Sequence, residues 1–490
     1  MGIDGLWKEL ESVEQKISLH NLAVGTGFIG NATGARGFRL GIDASGWMYR
    51  ACYLHGNTES PELVALFSRC SRLYRLPFIP VFIFDGADRP AMKRGKVIRG
   101  NDHWLTAPFQ RMLDGFGFDW IMAPGEAEAM LSEMTTSGIP VRIDAILTDD
   151  SDAFVFGASV VLRIRSEDND HFEASRYSAH DIATVLGLSR EGLILIAILA
   201  GGDYSDGLRG CGLAIATGLA RAGLGQQLIS GLDDQSRANS VAFLRNWCES
   251  LRSELETNAS GHLPHRCKQL ASQLPADFPS LDVINLYRHP IILSKAATRG
   301  LAFRAPRLDI LAQFSEAHFG WGDSIGILRH FADQLFAGLV IRELTQRALV
   351  NDGIEAAPNA PSIIRRIVGK RCHQSTGHLV ELRVVLDLDS TIMRSALQPI
   401  TGRRDPPQGA QKAVAEWITT RLPKVRAWVP KSMVEHVYPV MVLDYVCLQE
   451  NPGKKTKSSA RMVTIVQPTE FIQMSRLLGR PLPSKSAIRQ

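Results

Sequence analysis

Through the first 240 residues, short apolar runs alternate with stretches whose apolar positions recur every three or four residues. The runs Arg39–Asp43, Val81–Asp85 and Ile143–Asp150 predict strands, each closed by an aspartate. Pro61–Tyr74 and Ala107–Phe116 predict amphipathic helices between them. This alternation predicts an α/β fold with a mostly parallel central sheet flanked by helices. Asp181–Gly223 reads as helices broken by glycine-rich turns, and residues 233–350 as further helices with polar linkers. Asn351–Pro361, rich in Ala, Pro and Asn, reads as a linker. Beyond it, Ser362–Leu388 predicts short strands, Gly409–Thr420 a helix and Val437–Leu448 a strand, together a second, smaller domain. No internal repeat is visible.

Composition narrows the class. At 490 residues the chain exceeds one ordinary core, so two or three domains are expected. With 45% hydrophobic and 21% charged residues it reads as soluble and globular. No apolar run reaches the roughly eighteen residues of a membrane span. Met1–Trp7 lacks the basic and apolar regions of a secretory leader, so secretion is not expected. The seven cysteines form no CxxC pair, which fits a reducing compartment and argues against structural zinc. A net charge of +5 only hints at a polyanionic partner. From Asn451 to Gln490, eight Lys/Arg stand against one Glu: a solvated tail, or a nucleic-acid arm or nuclear address.

The acids change the picture most. In a parallel sheet, sites form outside the carboxyl ends of strands, where Asp43, Asp85, Asp150 and Asp152 fall. Asp150 and Asp152 lie two apart just past a strand, so in extended geometry both carboxylates face one way. Glu126 and Glu128 have the same spacing at a helix entry after Pro124-Gly125, where the first turn is half outside the helix. Asp203 follows in Gly201-Gly-Asp203-Tyr. A lone acid is usually a solvated charge or a cap, but seven at element ends of one α/β unit repel one another and require cations. Oxygen donors without His or Cys favour Mg²⁺ or Mn²⁺ over zinc. Two such ions close together activate water and stabilise a leaving oxygen in phosphoryl chemistry.

Past Asp85, helical spacing would put Lys93, Lys96 and Arg99 on one face, either an ordinary solvated face or a clamp for a scissile phosphate, with Arg94 beside them. Gly207, Gly210 and Gly212 precede the helical Leu213–Ala220. Such a turn presents backbone N–H groups to DNA phosphate, although a tight helix–helix turn needs the same glycines. Trp7, Trp47, Trp104 and Trp120 could stack bases, with core packing the default for each.

Taken in order, Met1-Gly-Ile-Asp-Gly-Leu-Trp7, Gly41-Ile-Asp43-Ala-Ser45, Phe84-Asp85-Gly86, Gly125-Glu126-Ala-Glu128-Ala, Thr148-Asp-Asp150-Ser-Asp152 and Gly202-Asp203-Tyr204 resemble the flap-endonuclease/XPG superfamily of structure-selective DNA nucleases. Phe278-Pro-Ser and Tyr287-Arg-His-Pro290 are similar to a later motif, so the resemblance covers roughly residues 1–335. Within the superfamily the chain looks most like the eukaryotic GEN/Yen Holliday-junction resolvase branch. The Gly125–Met130 and Gly202–Tyr204 contexts, a domain after the nuclease, and the short gap of 40 residues between Asp85 and Glu126 favour that branch.

The resemblance implies the following assignments. Asp43, Asp85, Glu126, Glu128, Asp150, Asp152 and Asp203 would hold two Mg²⁺ ions, with Mn²⁺ able to substitute. Lys93 and Arg99 would contact the scissile phosphate, making them catalytic with Asp43 and Asp85. Gly2 would lie near the strand-separation point. Gly207, Gly210 and Gly212 would form a helix-two-turn-helix (about 195–225) that holds DNA and binds K⁺. The implied organisation is a nuclease core at 1–240, a helical extension at 241–350, a linker at 351–361, a chromodomain-like domain at 362–450 and a basic tail at 451–490. The clearest aromatics of the fourth unit are Trp417, Trp428, Tyr438 and Tyr445, and they form no visible methyl-lysine cage, so DNA contact is the expectation there.

The expected function is a nuclear, Mg²⁺-dependent endonuclease that resolves Holliday junctions by paired symmetric nicks and also cuts 5′ flaps and fork-like DNA. It would be a monomer in solution and a homodimer on the junction, with no membrane partner. The alternatives are a monomeric 5′ flap endonuclease and a catalytically inactive branched-DNA or chromatin scaffold.

Overall fold

The apolar runs do form strands. The structure, a computed structural model, describes residues 2–30, 36–53, 59–90, 92–93, 95–97, 103–138, 141–164, 173–234, 240–293, 304–353, 362–388, 393, 396–406 and 408–450. The strands are β1 (Gln15–Ser18), β2 (Phe38–Asp43), β3 (Phe78–Phe84), β4 (Met92–Lys93), β5 (Lys96–Val97), β6 (Asp119–Met122), β7 (Ala145–Leu147), β8 (Val160–Arg163) and β9 (Glu173–Ser178). Seven of them form one sheet in the order β1-β9-β8-β7-β2-β3-β6. From β8 to β6 every pair is parallel, whereas β9 runs antiparallel to β8 and β1 antiparallel to β9. The sheet is therefore mixed: a parallel centre with an antiparallel edge.

Side chains alternate between two cores. Leu40, Ile42, Phe82 and Phe84 face the helices Pro61–Tyr74, Thr106–Phe116 and Phe336–Asn351. Val81, Ile83, Ile146 and Val161 face the helices Ala127–Thr136 and Arg190–Ala200. Burial on both faces explains why these strands read as unbroken apolar runs. No single described helix is long and apolar enough to cross a membrane. All seven cysteines are free thiols.

A separate sheet, β10 (Ile364–Cys372), β11 (Val380–Leu386) and β12 (Arg426–Pro430), is antiparallel throughout. Its inner residues Leu382, Val384 and Val429 continue the first core. A loop of this unit clasps the helix Leu308–His318: the Glu316 carboxylate accepts from the backbone N–H of Thr401 (2.8 Å), Gly402 (2.6 Å) and Arg403 (3.2 Å). The glycine-rich stretch before β2 also meets it. Leu22–Ile29 forms a π-helical segment whose Phe28 ring stands edge-on to His436 at 5.8 Å. Arg36 pairs with Asp352 at the end of the Phe336–Asn351 helix, with Nη2 3.0 Å from Oδ1.

Three expectations are corrected. Val437–Leu448 is not a strand; Tyr438 ends the helix Lys431–Val437, and Pro439–Glu450 forms the next helix. Lys93 and Lys96 do not share a helix face but pair across the two-stranded ribbon β4–β5, turned at Gly95 with φ of 67°. Asp150 and Asp152 are not extended: Asp152 opens the helix Asp152–Val155, and its N–H donates to Asp150 Oδ1 at 2.9 Å. Arg94, Arg99, most of the 351–361 linker and the 451–490 tail lie outside the described residues.

Candidate acidic site

The carboxyl edge of the parallel centre gathers the acids. Asp43 ends β2 and caps the next helix, Oδ1 accepting from Ser45 N–H (2.8 Å) and Oδ2 from Gly46 N–H (3.0 Å). Asp85 follows β3, and its Oδ1 accepts from Ala127 N–H at 2.9 Å, tying it to the start of the Ala127–Thr136 helix. Gly86 N–H donates to Gly125 O at 2.8 Å, locking the two loops together. Glu126 is the N-cap of that helix and Glu128 lies in its first turn. Asp150 sits in the turn after β7, and Asp203 in the turn after the Arg190–Ala200 helix.

Six of the seven (Asp43, Glu126, Glu128, Asp150, Asp152 and Asp203) are buried. Their mutual field is the signature of the site. Burial first, then Asp85, pushes the Asp43 carboxyl up to about 7, against the two N–H donors. Burial and then Asp43 raise Glu128 well above its ordinary range. Burial also raises Glu126, opposed by Lys93, and raises Asp150, opposed by the Asp152 N–H. Taking several carboxylates out of water side by side disfavours their charged forms.

Lys93 projects from the ribbon into this cluster. Its Nζ lies 2.9 Å from Glu126 Oε1 and 2.5 Å from Asp203 Oδ2. Burial opposes its charge, but Glu128, Glu126 and Asp203 outweigh burial and raise its pKa. Arg89, which sequence reasoning missed, reaches Asp85 Oδ2 at 3.5 Å. Among the described residues, no three carboxylates converge at ligand distance on one point. What the acids surround is an ammonium group. An all-oxygen donor set that already accommodates a cation fits Mg²⁺ or Mn²⁺.

The N-terminus closes one side. Ile3 N–H donates to Ser151 Oγ (3.1 Å) and Asp152 Oδ1 (3.0 Å). A Cβ on Gly2 would stand 2.5 Å from Asp150 Oδ1, so only glycine passes there. Trp7 donates from its indole to Asp149 O (2.9 Å), and its ring lies under Arg163. Trp7, Trp47 and Trp120 pack against aromatic neighbours, whereas Trp104 is exposed. Gly207, Gly210 and Gly212 fall in the turn between the helices Arg190–Ala200 and Leu213–Arg221. Gly210 and Gly212 are exposed, and Gly212 is the N-cap of the second helix. The side chain of Lys96 is outside the described residues.

Sequence reasoning also missed Tyr204. Its phenol O–H donates to Glu126 Oε2. The available signal was its place directly after Asp203.

Comparison with known proteins places this edge in context. The XPG N-terminal domain family matches residues 1–102 and the XPG I-region family residues 117–203. Flap endonuclease GEN homolog 1 of Mus musculus is 30% identical over 253 residues, covering 47% of this chain and 26% of that protein. DNA repair protein RAD2 of Saccharomyces cerevisiae is 28% identical over 217 residues, covering 43% of this chain and 19% of that protein. The chain thus spans only 26% and 19% of the length of these two relatives. A crystal structure of the Holliday junction-resolving enzyme GEN1 with product DNA and Mg²⁺ superposes with a TM-score of 0.68 at 29% identity, over 92% of this chain and 100% of that one. A eukaryotic junction-resolving GEN-1 binding potassium gives the same TM-score, 0.68, at 29% identity and the same coverages of 92% and 100%. The α/β fold with a mixed central sheet is that of GEN1.

Proposed function

We propose that this chain, a member of the XPG superfamily close to its GEN branch, is a structure-specific DNA endonuclease that resolves Holliday junctions by paired symmetric nicks. The observation that carries the proposal is the row of buried carboxylates around Lys93 at the carboxyl edge of the sheet. Buried like charges are costly, and a cation-binding hydrolytic site is the use that accounts for them.

In this reading Asp43, Asp85, Glu126, Glu128, Asp150, Asp152 and Asp203 hold two Mg²⁺ ions, with Mn²⁺ as a substitute. The chemistry such ions supply when bound is activation of a water and neutralisation of charge on the phosphate. The chain's own residues do the rest. Lys93 leaves Glu126 and Asp203 and places its ammonium against the scissile phosphate, joined by Arg99. Asp43 keeps its orientation through the Ser45 and Gly46 N–H donors. Gly2 and Ile3 wall the site at the point where strands part. The exposed turn at Gly207, Gly210 and Gly212 holds a duplex arm through backbone N–H groups and a K⁺ ion.

The substrates are Holliday junctions first, then 5′ flaps and fork-like DNA. Symmetric incision requires two protomers on one junction, assembled from monomers. Residues 362–450 act as a chromodomain-like unit that extends the DNA contact. The site of action is the nucleus.

A four-way junction labelled in each strand tests the proposal beside a 5′ flap. Paired, symmetry-related nicks in one binding event support it. Single unpaired nicks with faster flap cleavage favour a monomeric flap endonuclease, and intact DNA favours a scaffold.

A further inference from the structure

The Gly202-Asp203-Tyr204 motif contains one polar side chain, that of Tyr204, that the proposed mechanism does not use. Tyr204 lies in the turn after the Arg190–Ala200 helix, and its phenol O–H donates to Glu126 Oε2. The other oxygen of the same carboxylate, Oε1, faces Lys93 Nζ at 2.9 Å. Glu126 is thus held at both oxygens by groups from different parts of the chain.

The tyrosine is itself braced. Its ring packs on Tyr287 with centroids 4.8 Å apart, and Tyr287 packs on Phe156 at 5.7 Å. Tyr287 belongs to the helix Leu281–Arg288, and its carbonyl accepts from Arg190 Nη2 at 3.0 Å. Its phenol passes beneath the motif so closely that a Cβ on Gly202 would stand 2.6 Å from the hydroxyl. The three motif residues therefore divide the work. Gly202 makes room for Tyr287, Asp203 faces the cation, and Tyr204 reaches across to the glutamate.

We propose that Tyr204 is a positioning residue for the metal site, fixing Glu126 so that Oε1, the oxygen now turned to Lys93, is the one presented to a cation. A carboxylate held at one oxygen by a phenol presents the other oxygen in a fixed direction. Its orientation is set before the ion arrives, which lowers the ordering cost of binding. Outer partners of this kind typically change metal affinity or activity by about 10–100-fold when removed. The inference rests on the nuclease reading of the site and adds a role for a residue outside the ligand set.

The test uses the full chain without DNA and Mn²⁺ as the probe, with free Mn²⁺ followed by electron paramagnetic resonance. Tyr204→Phe keeps the ring stack and deletes only the hydroxyl. It should weaken Mn²⁺ binding by about 10-fold. In cleavage assays it should lower kcat and leave KM for DNA unchanged. In a Glu126→Ala background the same substitution should have no further effect on Mn²⁺ affinity, because the coupled partner is gone. Equal Mn²⁺ affinity of Tyr204→Phe and the wild type would overturn the inference, as would an undiminished effect in the Glu126→Ala background. Failure of the wild type to bind Mn²⁺ at all would overturn the nuclease reading, a result distinct from either.

Discussion

Lys93→Ala separates stability from chemistry in one substitution. The Lys93 ammonium lies within 2.9 Å of Glu126 and 2.5 Å of Asp203, and its side chain is 26% exposed. Removing one partner of a buried ion pair typically costs about 3–5 kcal/mol, because the other charge is left uncompensated. Two features reduce that here. Part of the side chain reaches solvent, and the Asp43 carboxyl, already pushed up to about 7, takes up a proton readily near neutrality. The expected loss is therefore about 2–3 kcal/mol in chelator. For a chain of this size that is a fall of about 2–3 °C in melting temperature. Mg²⁺ supplies the missing positive charge, so the deficit should vanish at saturating metal. The same free energy should appear in metal binding, because the ion no longer has to displace an ammonium: Mn²⁺ affinity of the DNA-free variant should rise by roughly 30–150-fold. Cleavage should nonetheless be lost. Thermal melts with and without chelator, together with Mn²⁺ titration, check each part. An unchanged melting temperature in chelator, or unchanged Mn²⁺ affinity, would refute the reasoning that Lys93 holds the place of a metal ion.

Two further outcomes concern the scaffold. Glu316→Ala leaves the N–H groups of Thr401, Gly402 and Arg403 without their acceptor and should cost about 2 kcal/mol at neutral pH. Burial works against ionisation of Glu316, but the Thr401 and Arg403 donors outweigh it and hold its pKa below the ordinary value. Its stabilising effect is therefore present above the ordinary glutamate pKa and lost as pH falls through the lowered one. The melting-temperature gap between wild type and variant should be constant near neutrality and close in acid; a gap that persists in acid contradicts this. Gly202→Ala forces a methyl group to 2.6 Å from the Tyr287 hydroxyl. It should destabilise the chain by about 1–3 kcal/mol in denaturant melts, and a neutral result would mean that the loop yields freely.

The acids were legible because each central strand is an apolar run that stops at a charge, and a parallel sheet collects those stops on one edge. The Ala127–Thr136 helix entry was equally plain from Pro124-Gly125 and the two glutamates. What sequence reasoning missed has physical causes. β1, Gln15–Ser18, is a polar edge strand with only Ile17 apolar, so no run marks it. The spacing of Lys93 and Lys96 suits a helix, but Gly95 at positive φ turns the chain into a ribbon. Pro439–Glu450 looked like a strand because its apolar residues circle the helix, leaving Val440 and Leu443 exposed. Tyr204 and Arg89 act through contacts with acids 78 and 4 residues away, and periodicity carries no information about either.

The most direct measurement is an incision map on a four-way junction for the wild type and Asp43→Asn, each in Mg²⁺ and in chelator, with junction binding recorded in parallel. The account predicts paired nicks from the wild type in Mg²⁺ alone, and none from Asp43→Asn although it still binds the junction. Cleavage that survives either the chelator or the Asp43→Asn substitution would contradict it, as would a wild-type protein that leaves the junction whole.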